Sequence, residues 1–313
     1  MKFPSSDHRV CKEILQSSIS SLHDHCDKKF IKIGTTDFFA DIVSPLAAYL
    51  NGLSKDSQPL KVCLSGGQGS GKTSLSEFLQ IALSSYNDKK CLGFSIDDIY
   101  KTYTERLRMS KEIHPLCKVR GVPGTHDIDL GINTILQLVN ATEETKTLIP
   151  AFSKPNDRRV PKENWNIYQG RPDIILFDAW CGGVPAERKD SWDGPINSLE
   201  ASEDPEGVWW NWSNKALGGS YQELFSLFDV LIMIEVPDIQ TVFDSRWLQE
   251  QTLSKNLVGT KDEHKIMNRE EVDRFVMHYE RLTLHILKEV PAIADIVIKR
   301  DRNFQFIYSK TPR

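Results

Sequence analysis

No apolar run in the sequence is long enough to cross a bilayer. Its longest candidates, "DIILFDAW" (173–180) and "DVLIMIEVP" (229–237), are strand-sized, whereas a spanning helix needs about 20 apolar residues. There is no secretory leader pattern either, because "MKFPSSDHRVCKEIL" carries charges where a leader needs its apolar centre. Basic surplus is missing: 39 Lys and Arg face 43 Asp and Glu, for a net charge of −4. That balance gives no electrostatic case for nucleic acid or an anionic membrane as partner. The six cysteines (11, 26, 63, 91, 117, 181) form no CxxC pair and no zinc-ligand spacing. Cys63 and Cys91 lie inside apolar runs, as packed, reduced thiols do. Internal repeats and obvious linkers are absent too. These absences lead to the expectation of a cytoplasmic chain of 313 residues folded as one domain, 1–313.

What is present is an alternation of short apolar runs and amphipathic stretches. Segments 60–65, 91–96, 172–179, 229–236 and 294–299 read as buried strands without clean polar alternation. Continuous runs of this kind are expected where helices cover both faces of a parallel sheet. Segments 71–86, 127–140, 239–257 and 270–289 have the three-and-four spacing of amphipathic helices. The fold class expected is α/β, a doubly wound sheet with helices on both faces. Residues 1–53 read as a helical N-terminal extension without recognisable chemistry. The Gly-, Pro- and acid-rich stretch within 184–222 reads as a surface excursion, packed down by Trp192, Trp209, Trp210 and Trp212.

"LSGGQGSGKTSL" (64–75) contains two overlapping strings. LSGGQ is the signature loop of ABC-type ATPases, but there it lies far downstream of the phosphate-binding loop. Here it runs directly into one: Gly66, Gly71, Lys72 and Thr73 complete G-x-x-x-x-G-K-[ST] between a strand and a helix, the context the motif requires. Backbone N–H groups of Gly66, Gly67, Gln68, Gly69, Ser70 and Gly71, with Lys72, Thr73 and Ser74 opening the helix, would cradle phosphates. Lys72 would reach the β- and γ-phosphates of ATP, and Thr73 would hold Mg²⁺ through its hydroxyl. Asp178, at the carboxyl end of "IILFD", would hold the same ion directly or through water. Ala179 follows it where ABC ATPases carry a water-activating glutamate. "NKAL" (214–217) lacks the aspartate of a guanine-reading NKxD.

Asp97 and Asp98 end the second strand in "FSIDDIYKT". An acid there can take the proton of an attacking hydroxyl or help to hold the metal. Strand neighbours point to opposite sides, so one of the two is expected at the site, and Asp97 is favoured as base. In "KVRGVPGTHDIDL" (118–130), Asp127 would cap the following helix, and Arg120 and His126 would project toward the acceptor. "IPAFSKPNDRRVPKENW" (149–165) clusters Lys154, Arg158 and Arg159, cations suited to an acceptor's carboxylate or phosphate. Arg246, in "TVFDSRWLQEQTL", sits where a lid residue would stabilise charge on the transferred phosphoryl group.

"GGQGSGKTSL", "FSIDDIYKT", "RGVPGTHDIDL" and "IPAFSKPNDRR…W…ILFDAWCGG" resemble, in this order, segments of the P-loop D-glycerate 3-kinase family. "SRWLQEQ" and "MNREEVDRFVMHYERLT" resemble its lid helix and the helix after it. The wider group includes phosphoribulokinase, uridine kinase and pantothenate kinase. The resemblance implies a sheet of five parallel strands and ATP·Mg-dependent phosphorylation of a small molecule's hydroxyl, D-glycerate first. It implies Lys72 and Thr73 on the donor, Asp97 as base, and Asp98, Tyr100, Arg120, His126, Lys154 and Arg158 toward the acceptor. Two departures stand out: "AFSKPN" replaces a family segment closer to Y-D-K-S, and Asp178-Ala179 stands where Glu-Gly is usual. The alternatives are a kinase of another metabolite (of uridine, pantothenate or sugar-phosphate type) and a catalytically silent ATP-binding regulatory protein. Oligomeric state has no signature in the sequence.

Overall fold

Five apolar runs pair side by side as parallel strands in the computed structural model, which describes residues 7–29, 31, 33–55, 57–188, 190–257 and 266–310. In chain order the strands are β1 (Leu60–Ser65), β2 (Cys91–Ser95), β3 (Ile174–Asp178), β4 (Val230–Glu235) and β5 (Ile296–Arg300). A sixth, β6 (Phe306–Lys310), completes the sheet in the order β6-β5-β4-β1-β3-β2. β6 runs antiparallel to β5, so the five-stranded sheet expected from the sequence gains an edge strand. Ile307 is 64 % exposed while Tyr308 is buried. A half-solvated edge strand of this kind lacks the continuous apolar run that revealed the other five.

Side-chain alternation gives each parallel strand two apolar faces. On one face Val62, Leu64, Leu176, Ile232 and Ile298 pack beneath α1 (His8–Lys29), α2 (Ser44–Leu53) and α3 (Lys72–Ser85). The expected N-terminal extension therefore forms one cover of the sheet, through Ile14, Leu22, Phe39, Leu46 and Leu50. Residues 1–6 of that stretch lie outside the described residues. On the other face Cys63, Ile175, Phe177, Met233 and Val297 meet further helices. After α4 (Tyr103–Glu112) come α5 (Ile128–Val139), α6 (Ser198–Glu203), α7 (Val208–Ala216), α8 (Ile239–Leu257) and α9 (Arg269–Ile293). α6 and α7 fall in the stretch expected as a surface excursion. Leu199, Trp209, Leu217 and Tyr221 from it join the core, because its aromatic residues have apolar area to bury. No helix among the described residues is long and apolar enough to cross a membrane.

Strand order places β1 between β3 and β4, with its loop at the carboxyl edge, where open α/β sheets gather ligands. Register aligns Leu64 of β1 and Ser95 of β2 with Asp178 of β3. The phosphate loop and both acidic strand ends thereby share one edge.

Candidate active site

Beyond β1 the chain turns through Gly66 (φ +143°) and Gly69 (φ +71°), conformations that suit glycine. A Cβ at Gly66 would lie 2.5 Å from the Ile234 carbonyl, and one at Gly69 would lie 2.7 Å from Ser245 Cβ. The loop thus needs glycine both for its curl and for its close neighbours. Gly71 caps α3, so Lys72 and Thr73 occupy the first turn, with Ser74 next. Lys72 is buried, and its ammonium donates to the Gly67 carbonyl at 3.0 Å. Burial lowers its pKa, and the Asp178 carboxylate opposes that shift. Ser70 is fully buried beneath the loop.

The Thr73 hydroxyl donates to Asp178 Oδ2 at 2.6 Å. Burial raises the Asp178 pKa, while Lys72 and Thr73 hold it down. A hydroxyl and a carboxylate in contact at a helix N-terminus are hard oxygen donors, of the kind Mg²⁺ takes together with phosphate oxygens and water. Among the described residues no group of three or more His, Cys, Asp or Glu is set to hold a metal. The donor set therefore fits an ion that arrives with its phosphates, not an all-protein cage.

Past β2 the chain makes a 3₁₀ turn, Ile96–Ile99, capped by Ser95. Asp98 Oδ2 accepts the Ser95 N–H at 2.8 Å, so its position is set by capping. Burial lifts its pKa to about 6 against that hydrogen bond. Asp97 points elsewhere: Oδ1 accepts the Tyr100 hydroxyl at 2.6 Å, and Oδ2 lies 2.6 Å from Lys154 Nζ. Burial alone would raise the Asp97 pKa, yet the charge and hydrogen bond of Lys154, with Tyr100, hold it at about 2. Burial opposes the Lys154 charge in turn, and Asp97 outweighs it, so the lysine pKa is raised.

The remaining acceptor-side candidates divide. Lys154 opens a four-residue turn, 154–157, between the paired dipeptides Phe152–Ser153 and Arg158–Arg159. Pro155 at its second position and Asp157 at φ +48° suit such a hairpin. Arg120 donates to Asp157 at 2.6 Å and Arg106 lies 2.8 Å from the same oxygen, so Arg120 anchors the turn. Arg158 is exposed; its neighbour Arg159 turns inward onto the Tyr100 carbonyl and Asp127. Alternation along the paired dipeptide turns one of the two outward and the other in. His126 is buried and stacks on Tyr100, with ring centroids 4.6 Å apart. Its Nδ1 meets the Tyr221 hydroxyl at 2.5 Å, and that hydroxyl accepts the Gly124 N–H. Burial drops the His126 pKa to about 3, so the ring is neutral. It supports Tyr100 from behind.

On the other flank, Arg246 of α8 hydrogen-bonds Gln249 and Glu250 and lies over the Phe275 ring. Sequence reasoning missed Arg300, a fully buried cation at the end of β5. It donates to the Gly69 carbonyl at 2.6 Å and to the Ser245 hydroxyl at 2.9 Å, tying β5, the phosphate loop and α8 together. Burial lowers its pKa to about 10. A charge closing the apolar run "IVIKR" was the available signal. Beside Gly69 opens a cavity of about 890 Å³, lined by Phe38, Asp41, Arg246, Gln249, Phe304 and Phe306 among others.

No protein-family model matches the chain. It is 28 % identical over 253 residues to the uncharacterized kinase mug58 of Schizosaccharomyces pombe, covering 76 % of this chain and 85 % of that one. It is 27 % identical over 234 residues to the chloroplastic D-glycerate 3-kinase of Arabidopsis thaliana, covering 72 % of this chain and 47 % of the relative. Among solved structures, the YGR205w protein superposes with a TM-score of 0.63 at 23 % identity, over 90 % of this chain and 98 % of that chain. A D-glycerate 3-kinase from Cryptococcus neoformans gives 0.60 at 16 % identity, over 84 % and 95 %. The chain has the α/β fold of these structures and is similar in sequence to proteins named as kinases.

Proposed function

We propose that this protein is an ATP-dependent kinase that phosphorylates a hydroxyl of a small molecule, D-glycerate by first choice, to give 3-phosphoglycerate. One observation carries the reading. The phosphate-loop residues Lys72 and Thr73, with Asp178, share a sheet edge with a second carboxylate, Asp97, which is held by a cation, Lys154. Phosphate binding alone requires the first group and has no use for the second. The named relative and the Lys154 ammonium both favour an acceptor that carries a carboxylate.

In this reading the N–H groups of residues 66–71 and the Lys72 ammonium hold the donor's phosphates. Thr73 and Asp178 would hold Mg²⁺, which would supply charge neutralisation on the donor's phosphates. Asp97 takes the proton of the acceptor hydroxyl as its oxygen bonds to the γ-phosphorus and the bond to the ADP oxygen breaks. Arg246 steadies the charge of the transferred group once it leaves its bonds to Glu250 and Gln249. The cavity beside Gly69 has the size of a small-ligand site and would take the nucleoside end of the donor.

An ADP-release assay with Mg·ATP and a panel of D-glycerate, uridine, pantothenate and ribulose 5-phosphate tests this. D-glycerate is expected to be turned over best. Preference for another member would move the acceptor assignment, and no acceptor-dependent release across the panel would remove the kinase reading.

A further inference from the structure

The two groups assigned above to the acceptor side are bound to each other in the acceptor-free protein. Lys154 Nζ sits 2.6 Å from Asp97 Oδ2, and the Tyr100 hydroxyl donates to Oδ1. Both oxygens of the intended base thus carry strong donors, one of them a cation. A carboxylate engaged in this way is a weak proton acceptor, in keeping with its depressed pKa. Tyr100 is fixed in place by His126 stacked on its ring. Lys154 differs: its side chain is 58 % exposed and long enough to swing. The turn that carries it is held elsewhere, by Arg106 and Arg120 on Asp157 and by Arg159 on the Tyr100 carbonyl. The ammonium is therefore a movable group on a fixed mount, and an anion entering beside Asp97 competes for it directly.

We propose that Lys154 is an acceptor-operated latch on Asp97: an anionic group of the acceptor draws the ammonium off the carboxylate and so frees the base for the acceptor's own hydroxyl. This rests on the kinase reading and extends it. The latch makes a negative charge on the acceptor a condition for activating the base, beyond its contribution to affinity. It also protects ATP. Without the latch Asp97 would take a proton from water while the water oxygen bonds to the γ-phosphorus and the bond to ADP breaks, releasing phosphate. With the latch closed, that step lacks its base.

The test compares wild type with Lys154→Met and Lys154→Arg, measuring ADP release from Mg·ATP without acceptor and then with D-lactate, which is D-glycerate without the 3-hydroxyl. Lys154→Met leaves the Asp97 carboxylate without its cation and should lower the unfolding midpoint, whereas Lys154→Arg keeps the pair, so ADP release is compared at a temperature where all three proteins are folded. Lys154→Met is expected to release ADP without acceptor about tenfold faster than wild type, a small share of what a positioned base supplies. Its KM for D-glycerate should rise, and Lys154→Arg should stay close to wild type. D-lactate should stimulate ADP release by wild type and leave Lys154→Met unchanged. ADP release by Lys154→Met no faster than wild type in the absence of acceptor overturns the latch. That comparison needs no acceptor, so it decides the latch even if wild type transfers phosphate to no compound tested, a result that would instead remove the kinase reading.

Discussion

Asp97 is the residue on which the chemistry turns. It was legible in the sequence because an acid after a buried strand, next to a phosphate loop, has few structural reasons to be there. Its partners were not, since Lys154 lies 57 positions away on a hairpin whose placement only the fold decides. Asp97→Asn should keep ATP binding and lower turnover by about 10²–10⁴-fold, the usual worth of a general base; single-turnover kinetics beside calorimetry checks both halves. His126 makes a different prediction. Its folded pKa of about 3 lies below the ordinary 6.5, so between these values the unfolded chain binds more protons than the folded one. Stability then falls as pH drops from about 6.5 toward 3, by up to about 1.4 kcal/mol per unit. Denaturation of wild type and His126→Asn across that range should show this slope in the difference between their stabilities. Asp98, with a pKa raised to about 6, contributes the opposite slope in both proteins and cancels in the difference.

At the scale of elements, the site is an arrangement of loops pinned by arginines. Arg106, Arg120 and Arg159 fix the 154–157 turn, and Arg300 fixes the phosphate loop against α8. Sequence reasoning read Arg120, Arg158 and Arg159 as facing the acceptor, whereas the structure binds Arg120 to Asp157 and leaves Arg158 exposed. Composition locates a basic loop; which side chains serve the fold depends on carboxylates brought in from elsewhere. Arg300→Met would leave the Gly69 carbonyl and the Ser245 hydroxyl without their donor and loosen the loop. ATP affinity measured by calorimetry should drop about tenfold, or about 1.4 kcal/mol, and an unchanged Kd would show that the loop holds its shape without it. A purely structural counterpart is Arg281, which grips the buried Glu200 with two nitrogens and lies over Trp192. Arg281→Met strands that carboxylate and should cost about 3–5 kcal/mol in chemical denaturation.

On the scale of the whole molecule, the five parallel strands and their order around the phosphate loop followed from continuous apolar runs, a signal strong enough to survive without context. β6 and the packing role of residues 8–53 did not. An edge strand is only half buried, and α1 has a polar outer face that reads the same whether it packs on a sheet or stands free. The structure makes α1 and α2 one cover of the core, with Phe39 fully buried against Phe78 at 5.2 Å between ring centroids. Phe39→Ala should therefore destabilise the protein by about 3–5 kcal/mol. Because α3 opens on Lys72 beneath the same cover, the loss should lower the midpoint of one cooperative transition; a separate early transition would mean that the N-terminal helices melt alone.

The central claim is phosphoryl transfer to an acceptor hydroxyl with Asp97 as the base. The most direct measurement is phosphorus NMR of the products formed from Mg·ATP and D-glycerate by wild type and by Asp97→Asn. Wild type should give ADP and a phosphoglycerate ester in equal amounts, and the variant should give neither at a comparable rate. Inorganic phosphate as the sole phosphorus product beside ADP, or an ester formed equally well by Asp97→Asn, would contradict it.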